Sequence, residues 1–197
     1  MKLYHYSAHH YDVLKTLEKQ RPLSKEEIEE GARSVKWGAP LPYYAHISFF
    51  FEPVPLDILS SIFPKDHHTW FKGSRLYEYI VDPSTIDHFQ YAVVETPEKT
   101  ELFYDESIGV AEYYRRLNEL NKKFGYTGHS LAGLKQAVQR LEGTTRSSFL
   151  LLQTRPNWDK EEKDSIQYKY ASTVPHVMLY PASGFVEYES VKKVVVK

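Results

Sequence analysis

The sequence predicts an α+β fold, a mostly antiparallel sheet (whole or split) with flanking helices, in a single globular domain over residues 1–197. Three observations lead there. Short runs rich in tyrosine, phenylalanine and valine recur through the chain and read as strands. Capped helical stretches lie between them rather than alternating with them one for one, so a parallel sheet is not expected. A chain of 197 residues is long enough for one substantial core, since domains cluster at roughly 100–200 residues.

The elements follow in chain order. Lys2 to Ser7 is a short strand, and "YDVLKTLEKQ" after it places Val13, Leu14 and Leu17 at helical spacing, up to the break at Pro22. In "LSKEEIEEGARSV" Ser24 and Glu27 form a capping-box pattern that predicts a helix running into Gly31. "KWGAPLP" is a loop, and Tyr44 to Phe51 is a strand without alternation, the pattern of a strand covered on both faces. "PLDILSSIF" reads as a short helix and "PKDHHTWFKGS" as a polar loop. "RLYEYIVDPS" is the clearest strand, with Tyr77, Tyr79 and Val81 alternating against Leu76, Glu78 and Ile80 until Pro83 stops it. Ile86 to Phe103 is mixed. Two helices follow, one capped by Ser107 and stopping at Gly125, the other capped by Ser130 and stopping at Gly143. The last third offers strands at "SFLLLQT", "YKYAST", "HVMLYP" and "FVEYESVKKVVV", with "RPNWDKEEKD" a charged loop.

Composition bounds the function classes. Lys plus Arg number 25 against 26 Asp plus Glu, and the resulting net charge of -1 gives no global field for nucleic acid or anionic membrane. Without cysteine, thiolate metal sites, disulfides and a cysteine nucleophile are excluded, which fits a reducing compartment. No window approaches the ~20 apolar residues of a membrane-spanning helix, and "MKLYHYSAHH" turns polar too soon for a secretory signal. A cytoplasmic protein is expected, with no membrane partner and a protein target or partner in preference to nucleic acid.

The candidate chemistry sits in two strands. His5 and Ser7 point to one face of the first, opposite Tyr4 and Tyr6, and His46 and Ser48 repeat the pattern in the second. If the strands are neighbours, the two His-x-Ser pairs are placed to line one cleft; taken singly, each histidine is a core group satisfied by a carbonyl or a tyrosine hydroxyl. His9-His10 and His67-His68 with Asp66 read as solvated loop residues, because adjacent histidines diverge and a metal needs three or four convergent ligands; no metal site is expected. Arg115, Arg116, Lys122 and Lys123 share their helix with Glu112 and Glu119, the composition of a solvated face. His129 belongs to the loop before Ser130.

In order and spacing, "LYHYS", "AHISFFF" and "RLYEYIVDPS" resemble the strands of the ADP-ribosyltransferase fold, in which many members open on a hydrophobic-Tyr-His-Gly-Thr/Ser strand. The resemblance covers roughly the first 85 residues and says nothing about the rest. It implies NAD as substrate and cleavage of the bond from nicotinamide to ribose, with electrostatic stabilisation of the developing positive charge. It also implies roles: His5 holding ribose hydroxyls, Phe49 in the place of a strand tyrosine, Glu78 or Asp82 as catalytic carboxylate, and Ser7, His46 and Ser48 around the cofactor. Tyr6 stands where the family usually has glycine, and Phe49 lacks the tyrosine hydroxyl, which implies a degenerate member. Two alternatives stand beside this one. The chain is a non-enzymatic binding or structural module, such as a viral or phage accessory protein, or it resembles the 2H phosphoesterases, with one histidine as base and the other as acid.

Overall fold

β1 (Leu3–Ser7) organises the architecture, because it has partners on both sides. A computed structural model describes residues 1–36, 40–54, 59, 75–93, 107–124, 126–141, 148–150, 170–172 and 176–195. Within them β1 lies antiparallel between β3 (Ile47–Phe50) and β4 (Arg75–Val81). β11 (Ser190–Val195) forms the edge beyond β4. On the far side β9 (His176–Pro181), β5 (Phe89–Val93) and β6 (Tyr126–Gly128) extend the sheet, giving the order β11-β4-β1-β3-β9-β5-β6 with every pair antiparallel. Two small ribbons complete the strands: β2 (Leu14–Lys15) with β10 (Phe185–Val186), and β7 (Ser148–Leu150) with β8 (Tyr170–Ser172). Four helices have both ends among the described residues: α1 (Leu17–Gln20), α2 (Lys25–Lys36), α3 (Val110–Phe124) and α4 (Leu131–Leu141). The α+β class and the mostly antiparallel sheet agree with the sequence reading.

Strand alternation sorts the sheet into two faces. One carries Leu3, Phe49, Tyr79, Val81, Val177 and Leu179, all fully buried, and packs against Leu14 of β2, Val186 of β10 and Leu134 and Ala137 of α4. The other carries Tyr6, Leu76, Glu78 and Tyr180, also buried. Burial on both faces explains why the strands are so aromatic: tyrosine fills volume and keeps a polar tip for a partner.

Local chemistry sets several element ends as expected. The Ser24–Glu27 capping box forms in both directions, the Glu27 amide donating to Ser24 Oγ (3.2 Å) and the Ser24 amide to a Glu27 carboxylate oxygen (2.8 Å). Ser130 caps α4, its Oγ accepting from Gly133 N at 3.1 Å. Other expectations are corrected. The helix predicted over "YDVLKTLEKQ" is a single turn, because Leu14 is drawn into the core and pairs as β2 with Val186, while the Thr16 amide donates to the Gly184 carbonyl. Strand β3 is shorter than Tyr44 to Phe51 and does alternate: Ile47 and Phe49 are buried, Ser48 and Phe50 half-buried, with a 3-10 turn over Tyr43–Ala45 before it. α3 begins at Val110, three residues after Ser107. "FVEYESVKKVVV" is two strands, not one. Most of "PLDILSSIF", and "PKDHHTWFKGS" up to residue 74, with His67, His68 and Asp66, lie outside the described residues, as do residues 94–103, Gly125, Gly143 and the charged loop.

Helix α2 continues through Gly31, which is its buried residue and faces Tyr44. A Cβ there would fall 2.2 Å from Tyr44 Cε1 and 3.0 Å from Pro42 Cβ. Glycine is retained for close packing, so Gly31→Ala sets a helix-propensity gain of about 1 kcal/mol against an overpacking cost of about 1–3 kcal/mol. The expected outcome is a net loss, read as a lower urea midpoint with an unchanged slope.

Candidate functional site

The junction of β1 and β3 holds the first candidate residues. Among the described residues the two strands share one register pair, Tyr4 with Phe50. Beyond it the Ser48 carbonyl accepts a hydrogen bond from a side chain: His5 Nδ1 lies 2.8 Å away. A carbonyl oxygen only accepts, so Nδ1 carries the proton and Nε2 of the neutral ring presents a lone pair. Burial holds the imidazole below its ordinary pKa, partly opposed by the Ser48 bond, so the neutral form is the one present near pH 7. The ring sits between Phe49 and Tyr79, with centroids 5.7 and 6.0 Å away. Its Nε2 has no hydrogen-bond partner among the described residues.

Ser48 also meets the second histidine. His46 Nε2 is 3.1 Å from Ser48 Oγ, and its ring approaches Tyr180 at 5.6 Å. Its Nδ1 is buried without a hydrogen-bond partner among the described residues; the Tyr43 carbonyl nearby favours the charged form a little without hydrogen-bonding geometry. Burial dominates and pushes His46 down to about 4. The two His-x-Ser pairs are therefore on neighbouring strands, the condition for a shared cleft, but not on one surface. Pairing Tyr4 with Phe50 puts His5 and Ser7 on the Phe49 face and Ser48, with His46 bonded to it, on the Tyr6 face.

The predicted carboxylates stand apart from His5. His5 pairs across β4 with Tyr79, so Glu78 projects from the opposite face, opposite Tyr6. There its Oε2 accepts from Tyr6 Oη at 2.6 Å and its Oε1 lies 2.7 Å from Lys192 Nζ. The Tyr6 hydroxyl in turn accepts from Val54 N at 2.9 Å, which fastens the chain after β3 to the sheet. Tyr6 is thus the hub of a buried polar chain. Asp82 follows β4 and caps the 3-10 turn Pro83–Thr85 through Ser84 N (2.9 Å), while Lys2 Nζ binds it at 3.0 Å. These bonds hold its carboxyl well below the usual carboxylate range.

Over the His5 face a loop closes, fastened by hydroxyls that the sequence reading did not single out. Tyr79 Oη accepts from Tyr11 N (2.7 Å) and donates to the His9 carbonyl (3.1 Å); Tyr188 Oη donates to the Tyr11 carbonyl (3.1 Å) and packs edge-on to Tyr79 at 5.0 Å. Ser7 Oγ starts the loop by accepting from His9 N at 3.1 Å. The only hint in the sequence was the density of tyrosines around two histidines. Elsewhere Arg115 and Arg116 pair with Glu112 and Arg115 also with Glu119, as a solvated helix face does. No helix among the described residues is long and apolar enough to cross a membrane. Comparison with protein-family models, with curated proteins and with solved structures found no match to this chain.

Two outcomes follow. The unfolded chain takes up a proton at His46 near pH 6.5 and the folded one only near pH 4, so stability is full above 6.5 and falls with pH through that window. At about 1.4 kcal/mol per pH unit the loss is roughly 3 kcal/mol. Denaturant melts at pH 7 and 4.5 measure it, and His46→Gln should shrink the difference to the part that the buried, neutral His5 contributes in the same direction. Separately, Tyr6→Phe strips buried Glu78 and Val54 N of one partner each and should cost about 1–3 kcal/mol at neutral pH; an unchanged melt would mean the chain through Tyr6 contributes nothing.

Proposed function

We propose that this chain is an ADP-ribosyltransferase-like protein that binds NAD through His5 and has lost most or all of its turnover. The observation that carries the reading is the state of His5: a neutral imidazole, its Nδ1 proton committed to the Ser48 carbonyl, its Nε2 a lone-pair acceptor flanked by Phe49 and Tyr79. Such a group suits a ribose hydroxyl, which needs an acceptor for its proton. It does not suit a general acid, which would have to be protonated at the operating pH.

Degeneracy is supported by the carboxylates. Cleaving the nicotinamide bond requires negative charge near a developing oxocarbenium, and a carboxylate contributes only where the reacting carbon is within its reach. Glu78 faces away from His5 and is engaged by Tyr6 and Lys192, and Asp82 is engaged by Ser84 and Lys2. A binding role without turnover, such as an accessory protein that senses or sequesters the nucleotide, fits this arrangement. An acid–base histidine pair of the phosphoesterase kind receives less support, since His5 and His46 lie on different faces and burial keeps both neutral.

Calorimetric titration with NAD, paired with an assay of nicotinamide release, tests the reading. Binding is expected, weakened about tenfold or more in His5→Ala, with release slow or undetectable. Release unchanged in a folded Glu78→Gln variant would assign Glu78 to holding Tyr6 alone; its loss there would return the carboxylate to the reaction. No binding at millimolar NAD would sink the proposal.

A further inference from the structure

Helix α2 turns its apolar residues outward, the reverse of an ordinary surface helix, which buries its apolar stripe and leaves charge in solvent. Gly31 is its one buried residue. Half-buried Glu27, Glu30 and Ser34 share that side of the helix, which packs against the turn at Tyr43–Ala45. On the other side Ile28 and Val35 are 50% and 40% exposed, and Ala32 between them is exposed as well. Positions i, i+4 and i+7 lie on one face of a helix, so the three form a continuous stripe in solvent. Single exposed apolar side chains are ordinary on a protein surface, whereas an aligned stripe over two turns marks a face suited to packing.

The charges around the stripe indicate what covers it. Along α2 the exposed acidic residues Glu26 and Glu29 come first and the exposed basic residues Arg33 and Lys36 last. A second α2 laid antiparallel sets acidic half against basic half and opposes the two helix dipoles favourably. Glu29 and Lys36 are seven residues apart, hence on the same flank of the stripe. With a two-fold axis at Ala32, Glu29 lies three residues before the axis and Lys36 four after it. At about 1.5 Å per residue, Glu29 of one helix and Lys36 of the other then differ by only about 1.5 Å along the axis, and symmetry repeats the pair. Lys25, 3.9 Å from Glu29 within the chain, sits a turn further out. The small Ala32 side chain at the axis permits close approach, and Ile28 of one helix meets Val35 of the other.

We propose that α2 is a homodimerisation surface: a second copy of this chain covers the Ile28–Ala32–Val35 stripe with its own, antiparallel about a two-fold axis at Ala32. The inference stands on α2 alone and is independent of the nucleotide reading of His5. Two helices of 12 residues, each about 18 Å long, cover less than the ~1,200 Å² of a standard interface, so the dimer forms reversibly at micromolar to sub-millimolar concentration.

Sedimentation of the full chain at low salt, from about 5 to about 500 µM, tests this. The average mass should rise from monomer toward dimer across that range. Ile28→Gln and Val35→Gln, both at exposed positions and with unchanged circular dichroism, should each weaken association about tenfold or more. Glu29→Lys and Lys36→Glu, each alone, bring like charges together at both ends and should weaken it about threefold or more. An equimolar mixture of those two variants brings opposite charges back together and should associate more tightly than either alone. A monomer throughout the range overturns the proposal. So does a dimer untouched by Ile28→Gln and Val35→Gln, which would place the contact elsewhere. A dimer that the apolar substitutions weaken but the mixture does not restore overturns the antiparallel arrangement.

Discussion

The placement of β1 between β3 and β4 is the constraint on which the rest of the structure depends. Side chains alternate along a strand with period two, so one registration decides the surroundings of five consecutive residues. Leu3 paired with Val81 enters the core, His5 paired with Tyr79 follows it, and Ser7 paired with Tyr77 reaches the rim. Tyr4 and Tyr6 then have to face the other way, where Tyr6 finds Glu78. A slip of one residue would strand a phenol in the apolar layer, expose leucine and separate Tyr6 from its carboxylate.

That constraint also distributes the electrostatics. The core face holds an imidazole with no carboxylate near it among the described residues, so burial outweighs the Ser48 hydrogen bond and keeps His5 neutral. On the other face the carboxylate is buried with a phenol and an ammonium within reach, the condition under which a buried charge is tolerated. The neutral acceptor thus lies on one side of the sheet and the compensated charge on the other. The hydroxyls of Tyr79 and Tyr188, by fastening residues 9 to 11 over the His5 face, preorganise that side further.

Much of the fold was legible before any coordinates. β1 and β4 read correctly because their alternation is strong and Pro83 ends the second, and α2 and α4 start where a serine hydroxyl is available to a helix amide. The misreadings share a cause. Leu14, at helical spacing with Leu17, became a strand because pairing with Val186 buries it; Gly31, a plausible stop, stayed helical because Tyr44 needs the space its missing side chain leaves. In both places a contact distant in sequence outweighed a local preference of about 1 kcal/mol or less.

The candidate site divides along the same line. By itself the sequence determined the strand segments, their alternation, the capped helix starts, and the presence of a histidine two residues from a serine on each of two strands, because these depend on neighbours within a few positions. Only the tertiary structure decided that those two strands are adjacent yet direct their pairs to opposite faces, and that Glu78 belongs with Tyr6 and Lys192 instead of His5. The reason is register: which residues stand opposite each other across a sheet is set by packing of the whole face, and no local pattern in the chain records it.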